Sequence, residues 1–498
     1  MVDHVGFDTS INTKPDIVFI FCDQWNARYL GCTGHPLVQT PQLDALAAGG
    51  CLFDTAYTPS PVCMPARASL ASGLYPHAHG FFSNYTGQPF PAHQVTLFRC
   101  LQQAGYITAK IGKYHYFSLE WGQDYEDYRH YYNQLGLDWA EETSTPFQGP
   151  FINSNYTRWL KAHGLLDTFI TDIGHRYVDG QYVARPSPLP PDMTADGYLG
   201  QQTLAYLNRA PIDKPLFLCA SFPGPHTPLD APGKYANMYH PVEVALPPNY
   251  DRQRCQYGEQ AVTEMTAQYM GKITHLDHRV GEIIAALKQR GNWENTVIVF
   301  SADHGDNMGE HGRVSKGGFQ DGSARVPLII SGSAALISAR GDRNPSPVSF
   351  LDLFPTFLEL AGAKIPDYCQ ATSLLPILRG ESDGVNDAVF SEIANGDSFN
   401  YMVRDQRWKW YLQTRNNRQG LFDMERDPHE MRNLISSTAQ ADTLQRLRDR
   451  MLHFLLVTQL NQGRGYQPLF KRLGMTFASQ DQDERKRIIC QRLGQVHS

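Results

Sequence analysis

Asp16-Ile17-Val18-Phe19-Ile20-Phe21-Cys22-Asp23 is the stretch that decides the fold. Between its two aspartates every residue is apolar, and most are β-branched or aromatic. A strand with one wet face alternates apolar and polar residues, so a run that is apolar at every position has both faces covered. Such a strand belongs to a parallel sheet with helices on both sides. Its carboxyl end carries Asp23 to the edge where open α/β sheets bind ligands.

The same pattern recurs along the chain. Pro41 to Ala48 reads as a helix, with proline just inside its start and Gly49-Gly50 closing it. Leu52 to Tyr57 is predicted as a second strand. A proline-rich loop, Thr58 to Pro65, leads to a helix over Arg67 to Ser72. Leu97 to Gln103 is helical, and Tyr106 to Ile111 is a strand ending at Gly112-Lys113-Tyr114-His115. Pro215 to Ser221 is a strand ending at Pro223-Gly224-Pro225-His226, and Thr296 to Ser301 one ending at Ala302-Asp303-His304-Gly305. Helices are predicted over Gly197–Leu207, Glu259–Gly291 and Phe350–Ala361, and a strand over Val326–Ser331. Residues 116–192 are rich in Tyr, Trp, Gly and Pro and weakly periodic. They read as an irregular insertion that could wall a substrate pocket.

Composition shifts near residues 380–386. Beyond it, Ala388–Glu392, Tyr401–Arg404, Trp408–Gln413 and Gly420–Asp423 read as short antiparallel strands, and Ala439–Leu456 as a helix. The expected organisation is a catalytic α/β domain over 1–383, a small α+β subdomain over 384–458 and a polar, basic tail over 459–498. The tail could reach a neighbouring subunit in a homo-oligomer.

The 498 residues have 42% hydrophobic and 19% charged side chains, a globular balance, and a net charge of −6 without a basic run, which excludes nucleic acid as the main partner. Met1 to Lys14 lacks an apolar signal core, and no apolar run approaches the roughly 20 residues that span a bilayer. The expectation is therefore a cytoplasmic protein away from the membrane. Nine cysteines without Cys-x-x-Cys pairs suggest reduced thiols rather than a disulfide framework.

The chemistry-bearing residues follow the strands. Asp23, Lys113 with His115, His226 and Asp303-His304 each stand just beyond an apolar run, and Cys63-Met64-Pro65-Ala66-Arg67 stands at a loop-to-helix junction. Alone, each has an ordinary reading: a helix cap for Asp303, packed histidines for His304 and His115, a turn residue for His226, a buried thiol for Cys63. Together, in this order and followed by Gly312-Arg313-Val314-Ser315-Lys316-Gly317 and Arg325-Val326-Pro327-Leu328, they resemble the type I, formylglycine-dependent sulfatases of the alkaline phosphatase-like superfamily. The resemblance runs from about residue 16 to 435. It includes Lys113-Tyr114-His115, Tyr75-Pro76-His77-Ala78-His79-Gly80 and the Leu421-Phe422-Asp423…Asp427-Pro428…Asn433-Leu434 phrase.

That resemblance implies an alkaline phosphatase-like mixed sheet sandwiched by helices, and a sulfuric ester hydrolase. It implies that a maturation enzyme oxidises Cys63 to formylglycine, whose hydrated aldehyde attacks a sulfate ester. Asp23, Asp303, His304 and the position 63 side chain would hold one divalent metal. Ca²⁺ suits the oxygen ligands, and the histidine admits Mn²⁺ or Mg²⁺. Arg67, Lys113 and Lys316 would bind the sulfonate oxygens. His115 would take a proton, and His226 with Lys316 would serve the leaving alcohol. Asn84 would join Lys113, His226 and Lys316 in binding substrate. Many sulfatases have two aspartates where this chain has Cys22-Asp23, which leaves a smaller ligand set.

In an extended segment Lys113 and His115 share one face. His275 and His278, three apart on the long helix, read as a surface pair. The aromatics Trp121, Tyr125, Tyr128, Tyr131, Tyr132 and Trp139 could stack on sugar rings, which makes a sulfated saccharide the expected substrate. Two alternatives stand beside this reading. One is a phosphonate monoester or phosphodiester hydrolase of the same superfamily, whose members tend to lack the Lys-x-His pair. The other is a non-catalytic binding relative.

Overall fold

The computed structural model describes residues 14–84, 89–91, 95–178, 181–395 and 398–460. The apolar opening run is strand β1, Asp16–Asp23, buried along its whole length. Around it the chain forms helix α1 (Pro41–Ala48), strand β2 (Gly50–Phe53), helix α2 (Cys63–Ser72), strands β3 (Ile107–Gly112) and β4 (Trp139–Glu142), and helix α3 (Ala195–Arg209). Strand β5 (Leu216–Pro225), helix α4 (Glu259–Gln289), strands β6 (Thr296–Ala302), β7 (Leu328–Ser331) and β8 (Asp342–Asn344), and helix α5 (Leu353–Leu360) complete the large layer.

The eight strands form one sheet in the order β8-β2-β7-β6-β1-β5-β3-β4. Five neighbours, β6, β1, β5, β3 and β4, run parallel, and β7 is antiparallel to both β6 and β2. The sheet is therefore mixed, and β1 is central because its hydrogen bonds are taken up on both sides. Alternation splits its side chains. Ile17, Phe19 and Phe21 pack with Met64 and Ala68 of α2 and with Leu353, Phe354 and Phe357 of α5. Val18, Ile20 and Cys22 pack under α1, α3 and α4, with Leu43, Leu199 and Ile273. Both layers are continuous apolar clusters, as a buried parallel strand requires.

The predicted second strand is broken. Residues Gly50–Phe53 join the large sheet, whereas Ala56–Tyr57 pairs with Val348–Ser349 in a separate two-stranded piece. Gly49 closes α1 and Gly50 opens β2, where a Cβ would fall 2.2 Å from the Ile330 carbonyl oxygen across the sheet and only glycine fits. The insertion over 116–192 is more regular than its sequence suggests. It holds helices over Arg129–Gln134, Asn155–Ala162 and Leu166–Gly174, and it supplies β4, the edge of the main sheet.

Its aromatics mostly face inward. Tyr125 and Tyr132 are buried, Phe117 packs on Tyr125, Tyr128, Tyr131 and Tyr132, and Trp139 lies against Tyr206 under the Arg209 guanidinium. Trp121, 39% exposed, is stacked on Phe151. These rings build the lobe.

A second sheet follows: β9 (Ala388–Asn395), β10 (Ser398–Asp405), β11 (Trp408–Gln413) and β12 (Arg418–Asp423), an antiparallel meander in chain order. One face, with Met402, Tyr411 and Phe422, packs on Tyr57 and Phe319 of the large layer. The other, with Val403, Trp410 and Leu421, is covered by Leu447, Met451 and Phe454 of helix α6 (Ala441–Leu460). The helix starts two residues later than predicted and runs on through 459 and 460, the first positions assigned to the tail. Residues 461–498 lie outside the described residues. Every described cysteine is free, and no helix among the described residues is long and apolar enough to cross a membrane.

Candidate active site

Four adjacent parallel strands, β6, β1, β5 and β3, end at one edge, and the loops leaving them carry Asp303-His304, Asp23, His226 and Lys113-Tyr114-His115. Helix α2 approaches the same edge with Cys63 as its first residue. Its start is held in part by Asn84, whose side-chain oxygen accepts the Met64 N–H at 3.0 Å. The alternation of β1 turns Asp23 toward α2 and Cys22 into the opposite core. Cys22 therefore faces away from the site, and the neighbouring position that could have carried a second ligand is Gln24. Gln24 has φ +65°. Its side-chain Nε2 donates to Asp306 at 2.5 Å, and its buried side-chain Oε1 has no hydrogen-bond partner among the described residues.

The floor of the site is buried. Asp23, Cys63, Arg67, Lys113, Asp303 and His304 are each at most 2% exposed. The ligand atoms of Asp23, Cys63, Asp303 and His304 lie within 4.8 Å of one another. Atoms that share a calcium-sized ion at 2.3–2.6 Å stand no more than about 5 Å apart, so this donor set fits a single divalent cation. Cys63 Sγ is 3.1 Å from His304 Nε2 and 3.8 Å from Asp23 Oδ1. His304 Nδ1 faces the Gly305 carbonyl at 3.0 Å, which leaves Nε2 to the cluster.

Two cations brace the carboxylates. Arg67 donates through Nε to Asp303 at 2.8 Å, through Nη2 to Asp23 at 3.2 Å, and through Nη1 to the Lys113 carbonyl at 2.6 Å and Ser221 Oγ at 3.0 Å. Its plane lies 4.4 Å from the Phe21 ring. Lys113 ion-pairs with Asp23, and Lys316 Nζ reaches Cys63 Sγ at 2.9 Å. Burial pushes the Cys63 thiol up, and Asp23 adds to it, but Lys113, Lys316 and His304 together hold it well below the usual thiol range. Burial pushes Asp23 up as well, and Lys113, His226, Lys316 and Arg67 outweigh it.

The mouth is formed by half-buried groups: His115, His226, Lys316 and Asn84. Burial, with Lys316 beside it, pushes His226 down to about 3. His226 Nδ1 lies 2.8 Å from the Thr227 carbonyl. A carbonyl only accepts, so Nδ1 carries the proton and Nε2 turns a lone pair outward. His115 is also pushed down by burial, partly offset by its contact with Cys63.

Lys113 and His115 do converge, though not by strand alternation. Gly112 has φ +114° and His115 φ +56°, so the segment is a tight turn. Of the remaining histidines, His79 Nε2 bonds Ser69 within the signature helix, and His77 Nδ1 meets Glu392 of the small sheet at 2.5 Å. His275 and His278 do not share a surface. His275 is buried against Tyr235 and accepts from Arg279, whereas His278 faces out beside Glu282.

Supporting residues without a sequence signal appear behind this site. Ser221, Lys272 and Glu142 hold the Lys113, His226 and His115 loops. Lys272 Nζ donates to the His226 carbonyl at 2.9 Å and ion-pairs with Asp230. Each lies far in sequence from the group it holds, and nothing local marks it.

Residues 15–363 match the family model described as "Sulfatase". The chain belongs to the sulfatase family. Residues 309–455 also match the model of the N-sulphoglucosamine sulphohydrolase C-terminal region, which spans the small sheet. An arylsulfatase of Clostridium perfringens is 29% identical over 87% of this chain and 93% of its own length. The ulvan-active sulfatase of Formosa agariphila is 30% identical over 89% and 81%. Among solved structures, the phosphonate monoester hydrolase of Agrobacterium radiobacter superposes with a TM-score of 0.74 at 25% identity, covering 89% of this chain and 96% of that one. The fold is thus alkaline phosphatase-like, and the sulfatase hydrolyses sulfate esters.

Proposed function

We propose that this sulfatase removes sulfate from a carbohydrate, using formylglycine made from Cys63 and one divalent cation held by Asp23, position 63, Asp303 and His304. The observation that carries the reading is the convergence on Cys63 Sγ, where Lys316 Nζ stands at 2.9 Å, His304 Nε2 at 3.1 Å and Asp23 Oδ1 at 3.8 Å in a buried pocket floor. A structural thiol has no use for so many charged neighbours.

Formylglycine at position 63 would supply an oxygen nucleophile, and a divalent cation held by Asp23, Asp303 and His304 would supply Lewis acidity. The carboxylates and a modified position 63 suit Ca²⁺, and His304 brings Mn²⁺ or Mg²⁺ within range. Lys113 and Lys316 bind the sulfonate oxygens. Arg67 holds the Asp23 and Asp303 carboxylates in place. His115, at the rim beside position 63, accepts the proton that leaves it. The leaving oxygen takes its proton from Lys316, because neutral His226 presents a lone pair and its role is to orient the leaving group by accepting a hydrogen bond.

The saccharide assignment is supported by the ulvan-active relative, since the aromatics of residues 116–192 are largely committed to packing. The partner implied is a formylglycine-generating maturation enzyme. A second reading, phosphonate monoester or phosphodiester hydrolysis, is favoured by the likeness to the Agrobacterium enzyme, while the Lys113-x-His115 pair favours sulfate.

Mass spectrometry of the Cys63 peptide, from a host that contains the maturation enzyme, should show the thiol replaced by an aldehyde. kcat/KM on matched aryl sulfate and phosphodiester substrates, followed by a panel of sulfated mono- and disaccharides, tests the rest. An unmodified Cys63 in fully active enzyme would refute the nucleophile, and a phosphodiester preference would move the assignment to the second reading.

A further inference from the structure

His115 has a backbone φ of +56°, in the left-handed region that is uncommon for residues other than glycine. Its Nδ1 is buried without a hydrogen-bond partner among the described residues. Catalytic histidines are commonly oriented by a hydrogen bond from the second ring nitrogen. Here the ring has no such anchor, so its direction must come from the backbone.

The backbone turn has an unusual brace. The N–H groups of Tyr114 and His115 both donate to one atom, Glu142 Oε1, at 3.2 and 3.0 Å. Consecutive N–H groups converging on an anion form a nest, which favours a carboxylate in its hollow. The other oxygen, Oε2, accepts from the Tyr132 hydroxyl. Glu142 is 5% exposed and ends edge strand β4, in register with Gly112 of β3. Lys110 Nζ lies 4.6 Å from the centres of the Tyr114 and Tyr116 rings, and its charge works against the burial that pushes Glu142 up to about 7.

We propose that Glu142, clamped by Tyr132, is the positioning residue for His115: its carboxylate holds the left-handed turn that aims the imidazole at position 63. The inference rests on the assignment of His115 as the proton acceptor. Without the carboxylate, two buried N–H groups lose their acceptor and the turn relaxes toward ordinary φ. The role of the inserted lobe is then to deliver this carboxylate to the sheet edge.

A double-mutant cycle on 4-nitrophenyl sulfate tests it. Glu142→Ala should lower kcat about 30-fold, with KM within about threefold, the scale of a misplaced catalytic group. Glu142→Gln keeps an acceptor oxygen and should stay within about threefold of the parent. On a His115→Ala background, Glu142→Ala should cost less than about twofold, because residues acting through one another are not additive. In protein labelled with ¹³C-histidine, the His115 Cε1 resonance should shift in Glu142→Ala and remain in Glu142→Gln.

A full 30-fold loss on the His115→Ala background would overturn the positioning role alone. A His115→Ala enzyme at parental rate would overturn the His115 assignment and the proposal with it. Should Glu142→Ala not fold, Tyr132→Phe decides: a rate loss that vanishes on the His115→Ala background supports the role, and an unchanged rate refutes it.

Discussion

Replacing Arg67 with methionine should expose how the metal site is balanced. The guanidinium is fully buried and bonds both proposed metal-ligand carboxylates, Asp303 at 2.8 Å and Asp23 at 3.2 Å. Methionine fills much of the volume but leaves Asp303 with the N–H groups of Gln24 and His304 and the His304 imidazole at 3.5 Å, and Asp23 with Lys113 as its nearest cation. Breaking a buried ion pair by removing one partner costs about 3–5 kcal/mol.

A divalent cation bound by the same carboxylates works in the opposite direction. At a hundredfold excess over Kd it adds about 2.7 kcal/mol of stability. In Arg67→Met it should add more, since a competing positive charge is gone, and each tenfold gain in affinity is worth about 1.4 kcal/mol. The assay is urea unfolding of parent and variant across a Ca²⁺ series, with chelated protein as the zero point. The stability gap should be widest in chelator and shrink as Ca²⁺ rises. A gap that stays constant across the series would refute a cation seated on Asp23 and Asp303. A gap under about 1 kcal/mol in chelator would refute the buried-pair account of Arg67.

Other consequences follow from single positions. In Gly112→Ala the new Cβ would lie 1.9 Å from the Ser221 carbonyl oxygen at φ +114°, so the variant should lose at least about 3 kcal/mol or fail to accumulate as folded protein, read by thermal melting. Lys409 is fully buried between Asp321 (2.7 Å) and Glu430 (2.6 Å) and donates to the Phe319 carbonyl. Lys409→Met should cost about 3–5 kcal/mol and lower kcat, because those partners include the loop that follows Lys316. Lys316→Ala should slow alkyl and sugar sulfates far more than 4-nitrophenyl sulfate, whose leaving group needs no proton; equal losses on both would refute Lys316 as the donor.

Asp277 accepts the Gln42 and Leu43 N–H groups at the start of α1, and burial pushes it up to about 7 against their pull. The folded protein therefore holds this proton more tightly than the unfolded chain. The associated stability is complete below about pH 4 and is lost as pH rises through about 7. Asp277→Asn should flatten unfolding free energy between pH 5 and 8, and an unchanged slope would contradict the assignment.

Much of the site is legible in the sequence because of one regularity. A buried parallel strand shows as an unbroken apolar run, and the first polar residues after it mark the sheet edge. That rule places Asp23, His226 and Asp303-His304 together before any coordinates. It fails where a strand lies at the edge: Trp139–Glu142 carries two glutamates and no apolar run, yet it pairs with β3 along its length. It fails also for residues that act from behind. Lys272, Lys409 and Glu142 are polar side chains far in sequence from the loops they hold, and their burial is tolerable only because three-dimensional packing supplies their partners.

The sequence by itself determines the α/β class, the succession of strand-end acids and histidines, and the Cys63 signature, since each depends on local runs and short spacings. Tertiary structure alone decides which way those side chains face. Strand alternation sends Asp23 into the site and Cys22 into the core, and a tight turn with positive φ at Gly112 and His115, rather than the extended alternation read from the sequence, is what brings Lys113 and His115 together. The physical reason is that orientation depends on register and on long-range hydrogen bonds, Arg67 to Asp303 and Glu142 to His115 among them, which join residues that neither propensity nor periodicity relates.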